Sequence, residues 1–552
     1  MPPTGDKPHH ELTSIRDTVE SIWVAIVVAL VLRAFLIEAF VIPTGSMAPG
    51  LMGEHWDLSC PACGYEYAFG LAPNREEIVA RRITRRDRSE PHIPQGACCP
   101  NCGKPYNDAK QFVSGGDRVL VLKYLYHFAP PKPFDVVVFR NPQNNRENYI
   151  KRLIGLPGEK IEIVHGDVFV RAAPDAAPAI RRKPPVAQEA MWQPVFDNDY
   201  PTDPDKAPDV RSPRWVPSGD GWEADTYQRR FLYTPGPAPG ELALQAEAAD
   251  FLPHCGYNSA EGEEVVNSRL DVCTDLQLSV EFMPAEPNAA VALTLTSFDD
   301  EFRGEVVADG TVRLLHRKQG SPAGPWDSWG SAKLPAMKLR RGYQVALANA
   351  DLSIRLSIDG RVALEVLDSY PQTYESLKAL VTSDHDAPIP TPQARILAWG
   401  GPCELRHLRV MRDVYYTYQR LAPVPRGPLG EYALDLKRKG LLPAGDKPQG
   451  WGTTGHPITL AKHDADPDLD EFFVLGDNSP QSLDSRGWTW AAPTLRLYAD
   501  AEGKVPLYQL GTVPRYNLIG KAFVVYWPAG FRPPGLAGLP IVPNFGKIRF
   551  VR

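Results

Sequence analysis

The apolar run from Ile22 to Ile42, IWVAIVVALVLRAFLIEAFVI, constrains the fold of this chain more than any other stretch. Its length suits the ~20 residues that a helix needs to cross a bilayer. Arg33 and Glu38 interrupt the run, but a long side chain can snorkel and Glu38 lies near the end. Pro43 would end the helix. The run predicts a transmembrane helix over 22–42 that follows a polar tail at 1–21.

Two other interpretations of the run remain open, a cleavable signal peptide and a buried core helix. A signal peptide needs a cleavage site of small residues, and the sequence from Glu38 to Pro43 is a poor one. Lys7 and Arg16 precede the run, whereas no Lys or Arg occurs from Val41 to Asn74. By the positive-inside rule the N-terminus is cytoplasmic. We therefore expect a single-pass protein of the inner cell membrane whose later residues lie on the outer, periplasmic side.

A serine follows the run at once, in FVIPTGSMAPG. The hydroxyl of Ser46 is a poor nucleophile until a base removes its proton. Position 44 is threonine, so no GxSxG elbow is present, and no histidine stands in a matching motif. The remaining candidate base is Lys151, at the end of the strand-like ENYIK. Taken alone, Lys151 would be a solvated charge. Burial beside Tyr149 and Ile150 would favour its neutral form, which can act as a base.

A third motif, FFVLGDNSPQSLDSRGW, lies near the C-terminus at 472–488. The anchored TGSM, the lysine motif and this run, in this order, resemble the type I signal peptidases. The resemblance covers less than half of the chain. It implies Ser46 as the nucleophile, Lys151 as the general base, and Thr44 with the amide of Ser46 as the oxyanion hole. It also implies that the Ser482 hydroxyl orients the lysine. The implied set of ion pairs consists of Asp477, Asp484, Arg486 and Arg152.

The resemblance implies a membrane-bound serine endopeptidase that removes signal peptides from exported precursors by a Ser/Lys dyad. The implied partners are signal peptides and the bilayer, and no cofactor is needed for catalysis. The net charge of -6 gives no reason to expect nucleic acid. We expect the substrate to add as a strand, with edges offered near 119–122 and 134–139. The alternative function is a non-catalytic, membrane-tethered scaffold that displays a ligand-binding β-sandwich.

Two cysteine pairs, in CPAC and CCPNC, form a separate motif. Cys60, Cys63, Cys99 and Cys102 have the paired spacing of a four-thiolate zinc knuckle, although the gap between the pairs is longer than usual. Disulfides are the alternative in an oxidising exterior. Cys98 is left without a role. The motif predicts a structural zinc ion.

The strand and turn patterns predict a mainly β protein. A long block alternates apolar residues and carries Asp-Gly turns, such as Asp359-Gly360, that are typical of hairpins. This block resembles a concanavalin-type or laminin-G-like jelly roll. The predicted parts are a catalytic body at 43–56, 112–170 and 471–552; a cysteine insert at 57–111; a Pro-rich linker at 171–215; an inserted β-sandwich at 216–417; and a Pro/Gly-rich return segment at 418–470.

Overall fold

The computed structural model of the chain is mainly β, as the sequence predicts. It contains few helices, and the body predicted to be catalytic, called the catalytic body below, draws strands from both ends of the chain. The described residues are 9–70, 96–106, 113–173, 175–202, 210, 213–219, 221–225, 229–253, 257, 271–320, 324–382, 389–417, 450–492, 495, 508–529 and 544–552. Most of the predicted return segment, 418–449, and Cys255 lie outside them.

The largest sheet of the catalytic body joins strands that are far apart in sequence. The apolar runs predicted as strands near 119–122 and 136–139 lie at its centre. The order of the strands across the sheet is β1 (Ile37–Val41), β4 (Arg118–Leu122), β28 (Leu518–Trp527), β5 (Val136–Asn141), β6 (Asn144–Gly155), β26 (Glu471–Leu475) and β27 (Val513–Pro514), with β29 (Arg549–Phe550) paired to β28. The pairing of β6 with β26 brings the residues after the long insert beside those before it.

Two smaller sheets flank this one. The strands of the first, in spatial order, are β25 (Ile458–Thr459), β7 (Lys160–Val164), β8 (Asp167–Arg171) and β9 (Ala179–Ile180). The second is the hairpin of β2 (His55–Ser59) and β3 (Glu66–Gly70), and the turn between these strands contains Cys60 and Cys63. Trp56 and Phe69 stack across this hairpin with ring centroids 6.0 Å apart.

The inserted region forms two antiparallel sheets over one large apolar core. One sheet has the order β12 (Trp222–Ala224), β13 (Arg230–Tyr233), β24 (Cys403–Arg412), β15 (Leu276–Pro284), β20 (Tyr343–Ala350), β21 (Ser353–Ile358) and β22 (Arg361–Val366), with β10 (Gln193–Asp197) paired to β24. The other has the order β11 (Trp215–Ser218), β14 (Gly240–Leu244), β23 (Ala394–Trp399), β16 (Ala290–Ser297), β17 (Asp300–Val307), β18 (Thr311–Lys318) and β19 (Asp327–Lys333). The predicted Asp359-Gly360 hairpin is confirmed, since Ile358 pairs with Arg361.

The N-terminal helix begins and ends earlier in the chain than the predicted span. The α-helix His9–Val31 continues as a π-helical turn, Leu32–Leu36, and the chain then becomes β1. The predicted helix is therefore wrong from residue 37 onward, because β1 pairs along its length with β4. Glu38, predicted near a membrane surface, instead forms a 3.2 Å ion pair with Lys123. Among the described residues, no helix combines the length and the apolar character that a membrane crossing requires.

Two further expectations differ from the structure. The runs near 119–122 and 134–139 do not offer sheet edges, because β4 and β5 are each paired on both sides. The edge strand on this side of the sheet is β1. The segment 171–215, expected to be a linker, contains β9, the helix Pro185–Met191 and β10. Prolines in this segment precede the helix and begin it, where a missing N–H costs nothing. The remaining α-helices in the described part of the chain are Leu125–Phe128 and Tyr374–Thr382, and short 3₁₀ helices such as Ala248–Phe251 also occur.

A buried lysine ties this segment to the sandwich. The Nζ of Lys183 lies 2.5 Å from Oδ1 of Asp351 and 2.8 Å from Oδ2 of Asp413. Asp167 and Asp275 place carboxylate oxygens within 4.8 Å of those of Asp351. This junction therefore gathers more acidic than basic side chains.

Candidate active site

The two residues predicted to form a dyad lie in contact. Ser46 occupies the turn after β1, where Ala48 donates its N–H to the carbonyl oxygen of Gly45 over 2.9 Å. Lys151 lies on β6, opposite Val137 of β5. The Nζ of Lys151 is 2.5 Å from the Oγ of Ser46. Only 3% of Lys151 and 7% of Ser46 are exposed, so the contact is shielded from solvent.

The surroundings of Lys151 favour its neutral form. Burial lowers the pKa of Lys151 from 10.5 to about 8, and the carboxylates of Asp484 and Asp477 offset part of that effect. The Nζ also donates to the carbonyl oxygen of Ile150 over 3.2 Å and lies 5.2 Å from the centre of the Tyr149 ring. An amine with a pKa near 8 is a usable general base close to neutral pH.

Two buried ion pairs surround the dyad. Arg152 binds Asp477 with both ends of its guanidinium, over 2.7 Å at each oxygen. Arg486 binds Asp484 in the same two-pronged way, over 2.9 and 2.7 Å. Burial raises the pKa of Asp484, but the Arg486 guanidinium and further hydrogen bonds, including one from Ser482, bring it below its ordinary value. The four side chains predicted as an ion-pair set therefore lie together as two charged pairs.

The loop after β26 also contacts the turn at 44–50 directly. This turn carries the predicted nucleophile Ser46 and is called the nucleophile turn below. Asn478 donates its backbone N–H to the carbonyl oxygen of Ser46 over 3.1 Å, and its side-chain amide to the carbonyl oxygen of Gly45 over 2.9 Å. The sequence predicts no role for Asn478. The Gly-Asp-Asn turn was the available signal, but the partner of its last residue lies more than 400 positions away.

Ser479 is a second residue without a predicted role. Its Oγ accepts from the guanidinium of Arg486 over 2.9 Å and from the backbone N–H of Thr417 over 2.8 Å. Thr417 follows the last sandwich strand, so Ser479 connects the site loop to the end of the insert.

The predicted roles of Ser482, which would orient the lysine, and of Thr44, which would form part of the oxyanion hole, remain predictions. Ser482 is fully buried beside Gly476. A Cβ on Gly476 would meet the Ser482 Oγ at 2.1 Å and the Ser46 carbonyl oxygen at 2.4 Å, so glycine permits this close approach. Thr44 is exposed at the start of the nucleophile turn.

A side chain from the insert reaches the nucleophile turn. A Cβ on Gly45 would lie 2.1 Å from Cε1 of Tyr257, and one on Gly70 would lie 2.5 Å from the same atom. The Tyr257 hydroxyl donates to the carbonyl oxygen of Glu54 over 3.3 Å. The Tyr257 ring therefore lies between two glycines, one of which directly precedes Ser46. Sequence patterns gave no sign of this contact.

Two stretches of the chain match a known family. Residues 102–221 and 456–527 match the family described as signal peptidase, peptidase S26. The matched stretches include Lys151 and the run that contains Asp477 and Arg486, whereas Ser46 lies before them.

Curated relatives carry the same description. The signal peptidase I of Leptolyngbya laminosa is 42% identical over 66 residues, which are 10% of this chain and 32% of the relative. The signal peptidase I of Rickettsia bellii (strain OSU 85-389) is 24% identical over 151 residues, which are 27% of this chain and 38% of the relative. The chain spans well under half the length of either relative.

Solved structures that resemble part of the chain do so with low scores. The carbohydrate binding module CBM66 from Bacillus subtilis has 12% identity and a TM-score of 0.23, covering 36% of this chain and 94% of the module. The Caenorhabditis elegans galectin LEC-6 has 11% identity and a TM-score of 0.18, covering 33% of this chain and 94% of the galectin. TM-scores this low support no conclusion about the fold or the function of the chain. The resemblance to the type I signal peptidases, predicted from three short motifs, is confirmed for two separated stretches of the chain that meet at this site.

Proposed function

We propose that this protein is a serine endopeptidase that removes signal peptides from exported precursors, with Ser46 as the nucleophile and Lys151 as the general base. One observation carries the proposal. The 2.5 Å contact joins the Oγ of Ser46 to a buried amine whose pKa is lowered to about 8. Such a contact is the geometry that base activation of a hydroxyl requires.

The chemical steps follow from this geometry. Neutral Lys151 takes the proton of the Ser46 hydroxyl as the Oγ attacks the scissile carbonyl carbon. The resulting oxyanion would be stabilised by the amide of Ser46 and the hydroxyl of Thr44, an interaction worth ~10²–10³ in turnover in comparable sites. The lysine then passes its proton to the leaving amine. Water, activated by the same lysine, hydrolyses the acyl-enzyme.

The edge of the main sheet supports the mode of substrate binding. β1 is an edge strand, and it runs directly into the turn that carries Ser46. A peptide that paired with β1 would form backbone hydrogen bonds whatever its sequence. The pairing would also bring the peptide to Ser46. Its alternate side chains would face one way, which suits small residues at the -1 and -3 positions.

We extend the proposal to membrane attachment through the N-terminal helical segment. Large apolar side chains along it are exposed, including Trp23 at 63% and Phe35 at 70%. Exposed apolar surface of this kind favours contact with lipid over water. The N-terminus would lie in the cytoplasm and the catalytic body on the outer side of the inner membrane. Fractionation of cells, with protease protection of spheroplasts, tests both statements.

A cleavage assay tests the activity. Purified full-length protein in detergent is mixed with a preprotein, and Ser46→Ala protein is the control. We expect cleavage at the signal-peptide junction by the wild type alone. If folded wild-type protein left the precursor intact, the enzyme proposal would be wrong and the membrane-tethered scaffold would be the better account. Cleavage that persisted in Ser46→Ala would exclude this serine as the nucleophile.

A further inference from the structure

Two turns of the same sequence pattern bring four thiols together away from the dyad. The pattern Cys-Pro-x-Cys-Gly occurs as CPACG and again as CPNCG. In each turn the glycine N–H donates to the carbonyl oxygen of the first cysteine, Gly64 to Cys60 over 2.8 Å and Gly103 to Cys99 over 2.9 Å. The two glycines adopt nearly equal positive φ angles, 75° and 76°. Two matching turns therefore present their cysteines to one point.

We propose that Cys60, Cys63, Cys99 and Cys102 bind one zinc ion. All four side chains are buried, and their sulfur atoms lie within 4.8 Å of one another. The Sγ atoms are 3.5 Å apart between Cys60 and Cys102 and 3.7 Å apart between Cys63 and Cys99. A tetrahedral ion with Zn–S bonds of ~2.3 Å needs sulfur separations of ~3.8 Å. A disulfide would need ~2.05 Å.

The ion has a structural role. Four thiolates complete a tetrahedron and leave no position for water or substrate, which is typical of structural zinc. The side-chain amide of Asn101 approaches the Cys63 sulfur at 3.9 Å and can support its negative charge. The neighbouring Cys98 takes no part, because its Sγ donates to the carbonyl oxygen of Gly103 over 2.9 Å.

The position of the centre indicates what it stabilises. Asn101 accepts from the backbone N–H of Asp197 over 2.6 Å and donates to the carbonyl oxygen of Tyr200 over 2.9 Å. Asp197 ends β10, which belongs to a sheet of the sandwich. The zinc ion thus fixes the turn that joins the cysteine module to the sandwich.

Two adjacent cysteines provide a matched pair of variants. Full-length wild-type, Cys98→Ser and Cys99→Ser proteins are purified without added metal, and bound zinc is measured by elemental analysis. We expect about one zinc ion per chain in the wild type and in Cys98→Ser. Cys99→Ser should retain less than half of that amount. Equal zinc in all three proteins, or none in the wild type, would overturn the proposal.

A second measurement covers the case in which Cys99→Ser does not fold. Wild-type protein is stripped with chelator and loaded with Co²⁺, which should give the visible bands of a tetrahedral tetrathiolate site. Chelator should also expose about four additional thiols to a thiol reagent under native conditions. Absence of the cobalt bands, together with thiols that are missing even after denaturation without reductant, would mean disulfides. Neither result depends on peptidase activity.

Discussion

Asn478 donates two hydrogen bonds to the turn that carries Ser46, one to the carbonyl oxygen of Ser46 itself and one to that of Gly45. The side-chain bond spans 433 positions of sequence. Ser46 is therefore held by a loop that lies more than 400 residues later in the chain, and its orientation depends on that loop being folded.

Replacing Asn478 with alanine should lower turnover more than it lowers stability. The substitution removes the amide bond to Gly45 but keeps the backbone bond to Ser46, and a lost hydrogen bond of this kind costs about 1 kcal/mol of unfolding free energy. We expect kcat to fall about tenfold or more, because even a small displacement of a nucleophile from its reactive position slows the chemical step strongly. Asn517→Ala is the control, since Asn517 is also buried and donates to a backbone oxygen, that of Arg140. Equal losses of kcat in both variants would contradict the positioning role.

The activity should rise with pH. The pKa of Lys151 is lowered to about 8 by burial, and only the neutral amine can accept the serine proton. The fraction of protein molecules with a neutral Lys151 is therefore small well below pH 8 and close to one well above it. A plot of kcat/KM against pH, measured with a peptide substrate lacking ionisable groups, should show one ascending limb with an apparent pKa near 8. A flat profile between pH 6 and 9 would exclude Lys151 as the base.

The dyad should behave as one unit. Ser46→Ala and Lys151→Ala should each reduce kcat by roughly 10⁴-fold or more, and the double variant should be no worse than either single one. Lys151→Arg should also be inactive, because a guanidinium does not deprotonate. Single-turnover kinetics on all four proteins checks this. Additive losses in the double variant would mean that the two residues act independently.

The contact between Gly45 and Tyr257 predicts a rescue. A methyl group on Gly45 would collide with the Tyr257 ring at 2.1 Å, and overpacking of this kind costs about 1–3 kcal/mol. Gly45→Ala should therefore displace the turn and reduce kcat/KM about tenfold or more. Adding Tyr257→Ala should restore part of the loss. Gly115→Ala, where the added carbon meets nothing within 4 Å, should have no effect. Failure of the double variant to recover would show that the collision is not the cause.

The acidic junction should make stability depend on pH. Burial, with the nearby carboxylates of Asp413 and Asp351, raises the pKa of Asp275 from 3.8 to about 7. Its stabilising contribution is therefore present below pH 3.8 and is lost as the pH rises through about 7. Asp275→Asn keeps an oxygen for the N–H of Asp351 but carries no charge to bury. We expect Asp275→Asn to raise Tm relative to the wild type at pH 8, to raise it less at pH 5, and to leave it nearly unchanged only below pH 3.8. A lower Tm at pH 8 would contradict this account.

Much of the β architecture could be predicted from local patterns. The Asp359-Gly360 turn is an example, because both residues adopt positive φ angles, 48° and 73°, that few other residue types tolerate. The end of the N-terminal helix could not be predicted this way. Ile37 to Val41 continue an apolar run, and only their pairing with β4, about 80 residues later, makes them a strand.

The residues of the candidate site likewise divide into those that the sequence predicts and those that it does not. Ser46, Lys151 and the ion-pair residues stand in recognisable motifs, and the structure places them together. Asn478 and Tyr257 act through contacts with the nucleophile turn that depend on how distant segments pack. The spacing of residues in the sequence does not predict such contacts. The close approach of Gly476 to Ser482 is likewise a property of the packed loop.

The pairing of β6 with β26 also has a consequence in time. Arg152 and Asp477 are separated by 325 positions. At ~5–20 residues per second, a ribosome needs roughly 16 to 65 s to synthesise the intervening chain. Ser46 and Lys151 are therefore made early, but the loop that contains Asp477 is made only after the sandwich strands have been translated. A growing chain therefore carries Ser46 and Lys151 without Asp477 until the sandwich has been translated, so the proposed activity should not arise before that point.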